Sequence, residues 1–347
     1  MRLKVGFVLA LTAGCLAWVL WGVNLGEAAL EVAEAQIAWV IPAWALFFAC
    51  HAVRTLRLRA LIGEPLPFWP LFGINAIGFL AINVIPLRLG EFVRPTLLLE
   101  QHGVPFGRSL AAIFVERLMD VLMLFMLLLW LAFFVELPPQ GVLVGDVDVV
   151  LAGQRFAATT LAVGGLGLVG LLTVGEPAIQ LMERVFAKLP IIPKIAALLR
   201  SFRAGITSLL GAPLRALGVL SASMALWGGT IIAVGCVLLA FDGLPHSLVA
   251  AGTTWTLTIT GMTVAPTPGF FGSYEAFCKA SLLLWDVPAQ RAATFAVVLH
   301  LVQLGFTIVL GGSALALAGG EPAAGGADVL GEGRQGAAPD ALSDGAS

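Results

Sequence analysis

Asn83-Val84-Ile85-Pro86-Leu87-Arg88-Leu89-Gly90-Glu91-Phe92-Val93-Arg94 closes an apolar run that begins at Leu66. Proline removes a backbone donor and breaks a helical ladder, and glycine allows a tight turn. Two arginines and a glutamate at such a break are costly beside hydrocarbon, so charges there mark a place where something polar is handled. Late in the chain, Thr263-Val264-Ala265-Pro266-Thr267-Pro268-Gly269-Phe270-Phe271-Gly272-Ser273-Tyr274-Glu275 repeats the device. Two interrupted apolar segments in corresponding positions of two halves are the sequence mark of a transporter-type binding site.

The composition agrees with a membrane setting. Of 347 residues, 59% are hydrophobic and 12% charged, whereas soluble domains carry about 25% charged residues. This predicts an all-α polytopic membrane protein. Cys15, Cys50, Cys236 and Cys278 lie in or beside apolar segments at irregular spacing, which is neither a disulfide framework nor a zinc pattern, and they read as small buried hydrophobes. His51, His102, His246 and His300 share no ligand spacing, and no nucleotide-binding loop is present. No metal, organic cofactor or nucleic acid is expected.

Eight apolar segments stand out, at residues 5–25, 37–53, 66–87, 110–135, 156–174, 216–241, 247–264 and 292–318. Arg2 and Lys4 precede the first, which is long enough to span and reads as an uncleaved helix. Positive residues in short loops favour the cytoplasm. Arg54, Arg57 and Arg59 therefore place the second connection inside, and Glu27, Glu31 and Glu34 place the first outside. If 66–87 crossed fully, the acidic loop with Glu136, Asp146 and Asp148 would fall inside, and the basic connection with Arg184, Lys188, Lys194, Arg200 and Arg203 would fall outside. If 66–87 dips in and returns, and 247–264 does the same from the other side, every loop obeys the rule. The expectation is two re-entrant segments in an inverted repeat, with both termini cytoplasmic in a bacterial or archaeal inner membrane. Irregular backbone at membrane depth must be buried in protein or face water, so a polar cavity is implied.

The membrane domain is read as 1–318, with halves of about 1–155 and 156–318. The connection 176–213 reads as amphipathic helices on the cytoplasmic surface or as a loop attracted to anionic lipid: Ile179, Met182, Val185, Phe186 and Leu189 lie opposite Glu183, Arg184 and Lys188, and Ile195, Leu198, Leu199 and Phe202 lie opposite Lys194, Arg200 and Arg203. The Gly/Ala/Asp/Glu-rich tail 319–347 is expected to be disordered.

Aligning Pro86 with Pro266 sets Asn83-Val84 against Thr263-Val264 and, more loosely, Gly90-Glu91 against Gly272…Glu275. Pro86, Gly90, Pro266, Pro268, Gly269 and Gly272 are the candidate breaks. Arg88 and Arg94 are candidates to bind phosphate, which arginine grips bidentately. Glu91 and Glu275 would orient those arginines or carry a proton, and Asn75, Asn83 and Thr263 would line the path. Glu116, Arg117 and Asp120 form a third cluster. It reads either as a buried ion network pairing with Arg88, Arg94 or Arg108, or as a boundary marker at the membrane interface. His300 and Gln303 share a helix face, as a cavity lining or as an interhelical hydrogen bond. Tyr274, the only tyrosine, sits inside the second break.

These residues resemble the transmembrane region of the lysylphosphatidylglycerol synthase/flippase family. The resemblance rests on Asn83…Pro86-Leu87-Arg88-Leu89-Gly90-Glu91…Arg94, on Glu116-Arg117…Asp120, and on Pro266-Thr267-Pro268-Gly269…Gly272…Glu275, and it covers about residues 5–318. In full-length members a soluble aminoacyl-transferase domain follows this region; here a short tail of disordered composition follows, so synthase activity is not implied. The resemblance implies translocation of a polar or charged lipid, with membrane lipids as partners: an anionic phospholipid or a polyprenyl-phosphate-linked lipid. The family motif usually reads Pro-x-Pro-Gly-Gly-x-Gly, and here Phe270-Phe271 follows Gly269. The expectation is thus a flippase-like transporter rather than an enzyme, with a homo-oligomer left open. A membrane-embedded lipid-modifying enzyme and a non-catalytic partner of a glycosyltransferase are the competing classes, although no nucleophile–base set is visible.

Overall fold

A computed structural model describes residues 24–85, 90–136, 142–144, 147–186, 189, 191–264 and 267–320. The first expected span, Pro86, Arg88, Pro266 and most of the tail lie outside these residues. The described chain is helical. In order it runs α1 (Leu25–Glu34), α2 (Val40–Ile62), α3 (Phe68–Val84), α4 (Val93–His102), α5 (Phe106–Phe134), α6 (Val149–Thr173), α7 (Gly175–Val185), α8 (Ile192–Leu210), α9 (Pro213–Leu239), α10 (Leu248–Val264), α11 (Ser273–Leu283) and α12 (Ala289–Gly320). A two-residue β-ladder, β1 (Leu143–Val144) against antiparallel β2 (Val147–Asp148), precedes α6. Asp148 then caps α6, its carboxylate accepting from the Val150 and Leu151 amides at 3.0 and 3.2 Å, which starts this helix earlier than residue 156.

Among the described residues, five helices are long and apolar enough to cross a membrane: Ile37–Ile62, Phe106–Phe134, Val149–Thr173, Pro213–Leu239 and Ala289–Ala318. α3 and α10 have 17 residues each. That is roughly 25 Å at the helical rise, short of the ~30 Å hydrocarbon core. Each ends at a break and is followed by a second short helix that packs back on it, α4 on α3 and α11 on α10.

The second segment differs from its sequence reading. Arg54, Arg57 and Arg59 do not form a loop; α2 continues through them to Ile62 and stops where Gly63 takes φ +74°. The extension is possible because carboxylates on α5 neutralise Arg57 inside the bundle, so charge there need not end a buried helix. α7 and α8 form in the expected connection, joined by Arg200, whose guanidinium donates to both Glu183 oxygens at 2.8 and 2.9 Å. Only part of α8 is left for a membrane surface, because Ala196, Ile206 and Leu209 are buried and the helix packs against α5.

The most extensive packing joins α2 to α9. It is close because Gly229 has no side chain: a Cβ there would stand 2.7 Å from Cys50 Sγ. α3 packs on α12, while α10 packs on α5 and α6. One core gathers Val234, Leu238, Cys278, Phe295 and Leu299 around α9, α11 and α12. A second joins Leu58, Leu71, Ile74, Leu98 and Ile113, and a third joins Leu128, Trp227, Leu257 and Phe277. Cys50, Cys236 and Cys278 are free thiols.

Candidate functional site: a cavity between two broken helices

The two breaks meet. The turn Pro268–Phe270 packs against α3, and a Cβ on Gly269 would lie 3.8 Å from the Asn83 carbonyl oxygen. Local sequence explains the turn. Gly269 and Gly272 adopt φ +59° and +88°, backbone that glycine enters without steric cost. The Thr267 hydroxyl donates to the Phe271 carbonyl at 2.7 Å. Glu275 caps α11 by accepting from the Gly272 amide at 2.7 Å. On the first break, Gly90 lies directly on α3, where a Cβ would come within 2.4 Å of the Ala81 and Ile82 backbone. Phe270 also has positive φ, +63°. That left-handed geometry is strained for a side chain with a Cβ.

Beside this junction lies a cavity of about 310 Å³. Asn83 and Glu91 reach it from the first broken unit, and Met262, Thr263, Phe270 and Tyr274 from the second. α2 contributes Phe47, Cys50, His51 and Arg54; α5 contributes Arg117 and Asp120; α12 contributes His300 and Gln303.

Behind the wall is a buried ion network. Glu116, fully buried, accepts from Arg94 Nη1 at 2.7 Å and lies 3.5 Å from Arg57 Nε. Arg57 Nη1 donates to Asp120 at 2.8 Å and to Ser223 at 3.0 Å. Arg94 donates to the Asn75 side-chain oxygen at 3.1 Å, and Asn75 donates to Thr55 at 3.4 Å. Arg117 pairs with Asp120 at 3.4 Å and with Glu91 at 3.6 Å. Buried charges are tolerated only in such pairings.

Arg54 is the exception. Its guanidinium carbon stands 4.3 Å from the centre of the Phe79 ring. Among the described residues it has neither an ion pair nor a hydrogen bond, while Arg57, Arg94 and Arg117 each hold a carboxylate. A cation–π contact is worth about 0.5–2 kcal/mol, less than a counter-ion supplies in a desolvated site. Arg54 is therefore the lining cation with charge to spare.

The sequence candidates divide accordingly. Asn83, Glu91, Arg117, Asp120, Thr263, Tyr274, His300 and Gln303 line the cavity. Arg94, Asn75 and Glu116 stand in the buried network. Glu275 serves the turn and His300. Asn83 donates to the Phe79 carbonyl at 2.9 Å. Arg88, Pro86 and Pro266 lie outside the described residues. Arg54 and Phe79 were not among the candidates. The signal was present, since Phe47, Cys50, His51 and Arg54 fall on one helical face.

Comparison with curated proteins and with solved structures finds no match. The family described as "Lysylphosphatidylglycerol synthase TM region" matches residues 5–311. With nearly the whole helical bundle inside that match, the chain belongs to the lysylphosphatidylglycerol synthase transmembrane-region family.

Proposed function

We propose that this protein moves an anionic membrane lipid from one leaflet to the other without altering it chemically, the headgroup passing through the cavity while the acyl chains stay in hydrocarbon. The observation that carries this reading is Arg54, a lining cation with no carboxylate of its own among the described residues, between two interrupted helices. A phosphate would give it a bidentate partner. The volume, about 310 Å³, is at the lower end of small-ligand sites (about 300–1,000 Å³), which suits a headgroup and not a whole lipid.

The packing supports an inverted repeat. If α2, α3–α4 and α5 correspond to α9, α10–α11 and α12, then α2 packs on its own counterpart α9, and the contacts of α3 with α12 and of α10 with α5 are the same contact seen from either half. In the orientation proposed, α3–α4 enters from the cytoplasm and α10–α11 from outside, in a cytoplasmic membrane. The lipid classes that fit are phospholipids and polyprenyl-phosphate-linked lipids.

The test is reconstitution in liposomes containing fluorescent phosphatidylglycerol, with leaflet exchange read by quenching of the outer-leaflet label. Arg54→Ala should slow exchange at least about tenfold, since a charge-assisted hydrogen bond is worth about 1.5–3 kcal/mol. Wild-type protein that exchanges no lipid, or Arg54→Ala protein that matches wild type, would refute the proposal. A changed lipid mass would indicate an enzyme instead.

A further inference from the structure

Besides Arg54, the cavity wall carries a second polar device. His300, on α12, places Nδ1 2.6 Å from Glu275 Oε1. The other Glu275 oxygen accepts from the Gly272 amide at 2.7 Å. The carboxylate is thus held from two sides, by the second break and by the imidazole. A carboxylate at that distance keeps a proton on Nδ1 whether the ring is neutral or charged, so the neutral tautomer carries its free lone pair on Nε2. His300 lines the cavity, and Nε2 has no partner among the described residues. The Tyr274 ring lies parallel to the imidazole, with centroids 4.3 Å apart at 11°, and Phe271 stands at 4.8 Å.

Few other charges touch this pair. α10 has no charged residue, and neither does α3. On α11 the neighbours are Tyr274, Cys278 and, one turn on, Lys279. On α12 the one cation beside His300 is Arg291, nine residues earlier, and it pairs with Glu31. His51, Arg54, Glu91, Arg117 and Asp120 also line the cavity.

We infer that His300 Nε2 is the proton-binding site of the cavity, and that one proton travels with each anionic headgroup. An aqueous proton adds to the Nε2 lone pair, Glu275 balances the imidazolium, and the proton returns to water on the opposite side when the headgroup leaves. The cation adds to Arg54 in attracting phosphate. By linkage, bound phosphate favours the protonated ring by the same factor. One proton with one monoanionic lipid is electrically neutral cargo. This inference rests on the reading of the cavity as the headgroup path. The sign follows: a site that must be protonated is filled below its titration midpoint and emptied as pH rises through it, so exchange is fast in acid and slows toward alkaline pH.

The experiment uses the full chain in phosphatidylcholine liposomes with a trace of fluorescent phosphatidylglycerol, whose phosphodiester keeps the same charge throughout. Exchange is measured at matched inner and outer pH across the imidazole range, about pH 5–8. Wild-type exchange should fall about tenfold per pH unit on the alkaline limb, as expected for one titrating group. A one-unit pH difference across the membrane should enrich the labelled lipid on the alkaline side, up to about tenfold at one proton per lipid. His300→Gln should abolish both effects. Glu275→Gln keeps hydrogen-bonding groups for Gly272 and His300 but removes the balancing charge, and should shrink the enrichment driven by the pH gradient, which a merely structural role would leave unchanged. Arg54-dependent exchange that is flat with pH, or an even lipid distribution under the gradient, overturns proton coupling and leaves the transport reading standing. No exchange at any pH overturns the transport reading itself, and the coupling with it.

Discussion

Glu116 holds two buried arginines, so Glu116→Ala should unbalance the bundle in a measurable way. The burden is unequal. Arg57 would keep Asp120 at 2.8 Å and Ser223 at 3.0 Å. Arg94, fully buried, would keep Asn75 at 3.1 Å and the Phe79 ring at 5.1 Å, with no carboxylate paired to it among the described residues. Breaking a buried ion pair by removing one partner costs about 3–5 kcal/mol, because a charge is left without its counter-charge in a poorly polarisable interior. A loss of that size lowers the melting temperature on the order of 10 °C. The assay is thermal unfolding of purified protein in detergent, followed by loss of the monodisperse peak. Arg94→Met placed on top of Glu116→Ala should recover part of the loss, since an apolar side chain of similar length does not need a counter-charge. A single variant melting within a degree or two of wild type would refute the argument. So would strict additivity of the two substitutions, because contacting residues couple by about 0.5–3 kcal/mol.

Two further outcomes are expected. At position 270 the usual order of glycine and alanine should invert: Phe270→Gly should be more stable than Phe270→Ala by about 1 kcal/mol, because φ +63° penalises any Cβ, and chemical denaturation of the two variants side by side measures this. On the α7–α8 connection, the Arg200 hydrogen bonds hold the Glu183 carboxyl below its ordinary value of 4.5. A depressed folded value stabilises above the unfolded one and is lost as pH falls through the folded one, so hydrogen exchange over residues 176–203, corrected for intrinsic rates, should rise only below about pH 4.5.

Much of the site was legible because membranes tax charge and irregular backbone so heavily. Pro86, Gly90, Pro268, Gly269 and Gly272 announce breaks without any tertiary information, and a glutamate three residues after Gly272 announces its cap. Glu116 and Asp120, four residues apart, announced a shared face. Arg54 was misplaced for an equally physical reason. Three arginines in six residues read as a loop when the chain is scored for hydropathy, and only the carboxylates on α5 make a buried helix there affordable. His300 and Glu275 are 25 residues apart, and nothing local ties them.

From sequence alone came the membrane setting, the helical class, the two interruptions and the family, since these depend on composition and on short-range backbone chemistry, which neighbouring residues dictate. Tertiary structure decided which charges are spent on one another and which face the cavity. Pairing of Arg57, Arg94 and Arg117 with Glu91, Glu116 and Asp120, and the exclusion of Arg54 from it, follow from distances between helices remote in the chain. Coulomb energy in a low-dielectric bundle depends on those distances, not on order along the chain.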